Sequence, residues 1–247
     1  MHMLYQIIIV YVLAYAISFS DVNNISIAGF NVRSLNSSKP YLKNIFDRSD
    51  IVCIQEHRLY ENELYKLNDV HMNFNVIGKA SKDLSSEHQS SKPGHCGIAM
   101  FWRKNISHSV KNVECDSDRI LAIEITRLYN DKSLFVIGVY LPHRACKISS
   151  FENEVTMLAD LVARVKHRGE IVIIGDMNCH FGDECGSRCW GKSTRNANTL
   201  MKIFDRCDLK VIDLDGDVCT GPNFTFNVDG VGTSYIDHCV IAVCCRI

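Results

Sequence analysis

Short apolar runs separated by polar turns dominate this chain, and longer stretches of helical periodicity interrupt them. The runs Ile25–Phe30, Ile51–Gln55, Phe74–Ile77, Gly97–Trp102, Ile120–Ile125, Leu134–Tyr140, Ile171–Gly175 and Tyr235–Ala242 predict strands. Helical patterns cover Pro40–Arg48, Phe151–His167 and Ala197–Cys207. The middle one is clearest, with Phe151, Val155, Leu158, Leu161, Val162 and Val165 on one stripe. Strands outnumber helices and several are adjacent, which predicts an α/β (α+β) protein of mixed sheets packed together with helices outside.

Polar residues gather where the apolar runs stop. The run Ile171–Gly175 leads into Asp176-Met-Asn178, and residues two apart on an extended backbone face the same side. Such a pair can grip one water or one phosphate; the bland alternative is a Gly-Asp-x-Asn turn closing a core strand. Asn31, Glu56, Tyr140 and Asp237 also stand at the ends of separate runs, where a sandwich can collect them on one rim. Taken together, these residue types suit phosphodiester cleavage. One carboxylate holds a hard cation such as Mg²⁺, a second orients or deprotonates water, and neutral donors meet charge building on the phosphate.

Composition narrows the options. A chain of 247 residues with 47% hydrophobic content affords one large domain, and no linker divides it. Lys and Arg total 27 against 28 Asp and Glu, so no global basic field marks a nucleic-acid binder and any phosphate grip is local. Arg58, Arg103, Lys104, Arg144, Arg188, Lys192 and Arg195 are candidates for such patches near the rim, with solvated surface as the alternative for each. The polar run Ser81–Ser91 reads as a surface loop. Residues 1–20 form an apolar leader, open to reading as a signal peptide, a membrane anchor or an extension, and the domain proper spans 24–247. Sequons at Asn24, Asn36, Asn105 and Asn223 are compatible with export.

The 12 cysteines lack the regular spacing of a small disulfide scaffold and read as reduced, small hydrophobes. Cys179, His180, Cys185 and Cys189 offer zinc-type donors, although their spacing matches no zinc module.

The series Asn31-Val-Arg, Gln55-Glu56, Tyr140-Leu-Pro, Gly175-Asp-Met-Asn178 and Ser234-Tyr-Ile-Asp237 resembles the endonuclease/exonuclease/phosphatase superfamily. Within it, Ile54-Gln-Glu-His-Arg-Leu59, Gly97-Ile-Ala-Met-Phe-Trp-Arg103, Ser117-Asp-Arg-Ile120 and Ile137-Gly-Val-Tyr-Leu-Pro-His143 resemble the apurinic-endonuclease-like domain of non-LTR (LINE-type) retrotransposons. The resemblance implies a four-layered, DNase I-like sandwich that uses Mg²⁺ or Mn²⁺ to nick DNA and leave a 3′ hydroxyl. It implies that Glu56 binds the metal with Asn31 beside it, that Asp176 orients or activates water, and that Asn178 and Tyr140 contact the scissile phosphate. Asp237 stands for the family's terminal aspartate, and His143 falls where members often place a substrate-contacting residue.

DNA is then the expected partner, with a reverse transcriptase in the full-length element and a nuclear or cytoplasmic location. Family members close with Ser-Asp-His, which is not found after Asp237, so a copy lacking its last strand and weak or inactive in catalysis is expected. His238 is expected to face away from the site, because neighbours on a strand alternate faces. Two other functions stay open: a secreted or membrane-anchored phosphodiesterase of the same superfamily, and a non-catalytic module that binds DNA or a protein partner.

Overall fold

A computed structural model describes residues 25–80, 96–129, 132–217, 219–220, 224–228 and 232–242. The apolar leader, the polar run 81–91 and the sequons at Asn24 and Asn223 lie outside these residues. In chain order the strands are β1 (Ile27–Asn31), β2 (Ile51–Gln55), β3 (Phe74–Lys79), β4 (Ile98–Arg103), β5 (Val110–Val113) and β6 (Ile120–Tyr129). They continue with β7 (Lys132–Tyr140), β8 (Gly169–Asp176), β9 (Leu209–Val211), β10 (Phe226–Val228), β11 (Gly232–Ser234) and β12 (Asp237–Ala242). The helices are α1 (Leu35–Arg48), α2 (Ile148–Val165) and α3 (Arg195–Cys207).

One sheet runs β1-β2-β4-β3, the other β5-β6-β7-β8-β12-β9, and β10 and β11 form a small hairpin. Alternation along the strands sorts side chains into three apolar layers. Val52 and Ile54 of β2 turn outward with Ala28, Phe30 and Phe101 against Leu42, Ile45 and Phe46 of α1. Ile51 and Cys53 turn inward and meet Ile123, Val136, Val172 and Ile174 of the larger sheet. The outer face of that sheet, including Phe135, Ile137, Ile171 and Ile173, is covered by the α2 stripe and by Leu200 and Phe204 of α3. The order helix, sheet, sheet, helix is the expected four-layered sandwich.

Strand direction places the chemistry. β1 and β2 are parallel and end together at Asn31 and Gln55, while β7 and β8 are parallel and end together at Tyr140 and Asp176. β12 runs against β8, so it begins at that end, with Asp237 opposite Asp176. β4 runs against β2, pairing Trp102 with Ile51, and this corrects one expectation: Arg103 and Lys104 lie at the far end of the sheet. There Arg103 Nε is 3.1 Å from Asp50 Oδ1 and also donates to the Ser49 carbonyl at 3.0 Å, closing the fold rather than serving the rim.

Helix α1 begins at Leu35, ahead of the Pro40 start that the sequence suggests. Pro favours a first turn, but here tertiary contacts set the start: Leu35 is buried, and its N–H donates to the His57 carbonyl at 3.2 Å.

Candidate active site

The rim is built from both sheets. On the larger sheet, Tyr140, Asp176 and Asp237 are register partners on three neighbouring strands, so their side chains share one face at one level. From the smaller sheet, Asn31 reaches across the seam. Its Nδ2 donates to Glu56 Oε1 and to Asp176 Oδ2, each at 2.9 Å. Its Oδ1 accepts from the Arg33 N–H at 3.1 Å, which fixes the amide orientation and aims the donor at both carboxylates. Glu56 Oε2 takes a further hydrogen bond from Arg58 at 3.1 Å.

Backbone conformation aims these groups. Glu56 (φ 57°) and Asn178 (φ 49°) both sit in the left-handed region, where a non-glycine residue carries strain unless its surroundings fix it. Asn178 is fixed by its N–H to Asp176 Oδ1 and by Nδ2 to the Leu141 carbonyl, both at 2.9 Å. Gly175, before Asp176, has φ 141°, and a Cβ there would strike the Val139 carbonyl oxygen. Only glycine lets β8 lie this close to β7 at the rim.

The electrostatics follow from burial and crowding. Burial, and then the neighbouring Asp237, push the Asp176 carboxyl well above the usual range; the Asn31 amide and Asn178 N–H pull the other way, and Glu56 adds to the rise. Burial raises Asp237 to about 6, opposed by its Thr225 hydrogen bond and His238 and helped by Glu56. Burial likewise raises the Tyr140 hydroxyl, and Glu56 adds to it. A carboxylate whose proton affinity is raised in this way accepts a proton from water more readily than an ordinary one.

Two neighbours carried no role in the sequence reading. Arg119 lies 5.1 Å from the Tyr140 ring centroid, and its guanidinium donates to the Tyr140 carbonyl and to Cys96 Sγ, each at 3.3 Å. The signal was the hairpin register, since Ile120 pairs with Val139 and so puts Arg119 beside Tyr140. Thr225 Oγ1 accepts from the Ile236 and Asp237 N–H groups at 2.9 Å, holding the start of β12.

His143 stands apart from this cluster. It is exposed on the turn after β7, where Nδ1 accepts from the Ala145 N–H at 3.2 Å. His238 faces the core, as alternation requires. Its Nδ1 meets Asp213 Oδ2 at 2.9 Å, and its Nε2 meets the Cys179 and Tyr235 carbonyls at 3.1 and 3.2 Å.

The described cysteines are all free. Among the described residues no three His, Cys, Asp or Glu side chains are grouped to hold an ion, so Cys179, His180, Cys185 and Cys189 do not form a zinc site. Cys179 and Cys189 are instead buried in the apolar layer outside the larger sheet, with Cys185 packed against it. The rim offers oxygen donors instead, Glu56 and Asp176 joined by the Asn31 amide with Asp237 beside Asp176, and these three carboxylates are likewise not grouped to hold an ion as they stand. Their oxygen chemistry suits a hard divalent cation.

A two-sheet sandwich with helices on both outer faces and an acidic, amide-bridged rim is the DNase I-like class. The chain belongs to the endonuclease/exonuclease/phosphatase family, whose model matches residues 28–242. Among solved structures it is similar to the catalytic domain of Xenopus laevis APE2 (TM-score 0.68, 15% identity, covering 87% of this chain and 82% of that one). It is also similar to the AP endonuclease LMAP of Leishmania major (TM-score 0.66, 11% identity, 90% and 81% covered). A third likeness is to the 3′-5′ exonuclease NExo of Neisseria meningitidis (TM-score 0.63, 19% identity, 87% and 86% covered). At these identities the likenesses establish the shared fold. No curated protein sequence matches this one.

Proposed function

We propose that this protein is a divalent-metal-dependent DNA endonuclease of the apurinic-endonuclease-like kind, of the type that nicks target sites for retroelements. The observation that carries the reading is the Asn31 amide held between Glu56 and Asp176, with Tyr140 and Asp237 level with Asp176. The family supports phosphodiester chemistry, and a related 3′ phosphatase from Neisseria is bound to a product DNA hairpin. The retroelement part of the reading rests on the Ile54–Leu59 and Ser117–Ile120 motifs.

In this reading Glu56 is the principal ligand of Mg²⁺ or Mn²⁺, and Asn31 fixes where Glu56 and Asp176 sit. The cation supplies positive charge for the phosphate oxygens when bound. Asp176, its proton affinity raised by burial and by Asp237, takes the proton from the attacking water. Asn178 keeps one Nδ2 hydrogen on the Leu141 carbonyl and offers the other to the phosphate, and the Tyr140 hydroxyl donates beside it. His143, exposed just beyond Tyr140, meets the flanking strand. His238 is committed to the core, where its Nδ1 meets Asp213, and takes no part in phosphate contact at the rim.

The test is Mg²⁺-dependent nicking of supercoiled plasmid and of an abasic duplex. Wild type nicks, EDTA stops it, and Glu56→Ala and Asp176→Ala each abolish it. Nicking that survives in both variants would overturn the assignment. Tight binding of either DNA with no turnover in any metal would favour the non-catalytic module.

A further inference from the structure

We propose that Trp190, backed by His180 and flanked by Lys192 and Arg195, is a stacking platform for an unpaired nucleobase of the DNA strand that enters the rim. This deepens the endonuclease reading and rests on it for the identity of the ligand.

Residues 177–194 form the loop that leaves the site after Asp176 and returns to the first turn of α3. It departs through Asn178, and His180 is two residues further on. The loop is pinned at its base. The Thr194 N–H donates to the His180 carbonyl at 2.8 Å, and the His180 N–H donates to Thr194 Oγ1 at 3.2 Å. Thr194 also caps α3, its hydroxyl accepting from the Ala197 N–H at 3.3 Å. Within the loop the Asp183 N–H donates to the Gly191 carbonyl at 2.9 Å, and the Arg188 N–H reaches the Leu214 carbonyl at 3.1 Å.

The interior of this loop is packed, with Phe181 and Cys189 buried in the core of the larger sheet's outer face. Trp190, next to Cys189, is 41% exposed. Its indole meets the His180 ring edge-on, with centroids 5.5 Å apart and planes at 66°, and His180 is also hydrogen-bonded to the Trp190 carbonyl. The ring is therefore held from one side by a second aromatic while part of its surface stays in water.

An indole left open on a braced loop that starts at the rim, and that contacts His180 two residues beyond Asn178, suits stacking better than packing. Nucleobases present π faces to such a ring, and cations nearby follow the strand's backbone. Trp190, Lys192 and Arg195 are all exposed. Asp183 and Glu184, exposed on the same loop, offset part of that charge, so affinity here comes from stacking more than from counterion release. In a duplex the base faces are hidden by their neighbours. A base that stacks on Trp190 is therefore unpaired, and the substrate class is DNA with an unpaired or displaced nucleotide near the cut.

Fluorescence reads this without turnover. The chain has two tryptophans, and Trp102 lies on β4 at the end of the sheet remote from the rim, with Nε1 donating to Ser107 Oγ at 3.2 Å. The intact protein in EDTA is titrated with a fully paired duplex and with the same duplex carrying a two-nucleotide bulge. The bulged DNA quenches emission and binds about 10-fold more tightly than the paired one, as expected for one stacked base. Trp190→Phe loses the quench but keeps most of the preference, and Trp190→Ala loses both. Equal quenching by both DNAs, or a preference that survives Trp190→Ala, overturns the platform. The two readings fail separately: quenching and preference without metal-dependent nicking sink the nuclease and leave the platform, whereas nicking with a preference indifferent to Trp190 does the reverse.

Discussion

Replacing Asp237 by Asn should make the protein more stable at neutral pH while disabling it. A carboxyl that titrates at about 6 instead of near 3.8 holds its proton in the folded state where the unfolded chain has released it. Between those values the folded state binds more protons, so stability falls as pH rises and the deficit is complete above about pH 6. The gap corresponds to about 3 kcal/mol at most, and solvent around this half-buried side chain reduces it to about 1–3 kcal/mol. Asn keeps the shape and the oxygen that faces Thr225, and it never ionises. Urea unfolding in EDTA should show Asp237→Asn gaining about 1–3 kcal/mol at pH 7.5, less at pH 5, and nothing below about pH 4. On the proposed metal-dependent reading, adding Mg²⁺ should then stabilise wild type more than the variant, which brings one negative charge fewer to the rim. A gain independent of pH, or a loss at pH 7.5, would refute the claim that Asp237 is held against its ionised form.

The remaining expectations concern groups around the rim. Arg119→Ala frees the Tyr140 ring and removes the cation beside it, so kcat should fall about 10-fold with KM little changed, and Arg119→Lys should restore part of it; a purely structural Arg119 would lower the unfolding midpoint instead. Gly175→Ala forces a Cβ into the Val139 carbonyl at a positive φ and should cost about 3 kcal/mol or more in urea unfolding at pH 7; a cost below about 1 kcal/mol would show that β8 can retreat from β7.

Periodicity located β2 because its short run is continuously apolar, and α2 because its 18 residues keep one apolar stripe on the buried face. The short strands β5, β9, β10 and β11 escaped notice, since three or four residues with mixed polarity carry no readable period and depend on partners distant in sequence. Asn31, Glu56, Tyr140, Asp176 and Asp237 could be placed on one rim because each closes or opens a recognisable strand. The Asn31 bridge could not be read, as it joins groups brought together only when the two sheets stack. Arg103 and Lys104 were misplaced for a related reason: a strand's sequence does not state its direction, and β4 runs opposite to β2.

The seam between the sheets has one more consequence. Gly138 of β7 lies so close to Cys53 of β2 that a Cβ would strike its sulfur, which locks how far one sheet can slide over the other. One residue of slip is about 3.3 Å, enough to part Asn31 from Asp176. The interior of the sandwich therefore works as a gauge for its rim. Substitutions deep between the sheets, far from any substrate, should alter cleavage before they noticeably loosen the fold.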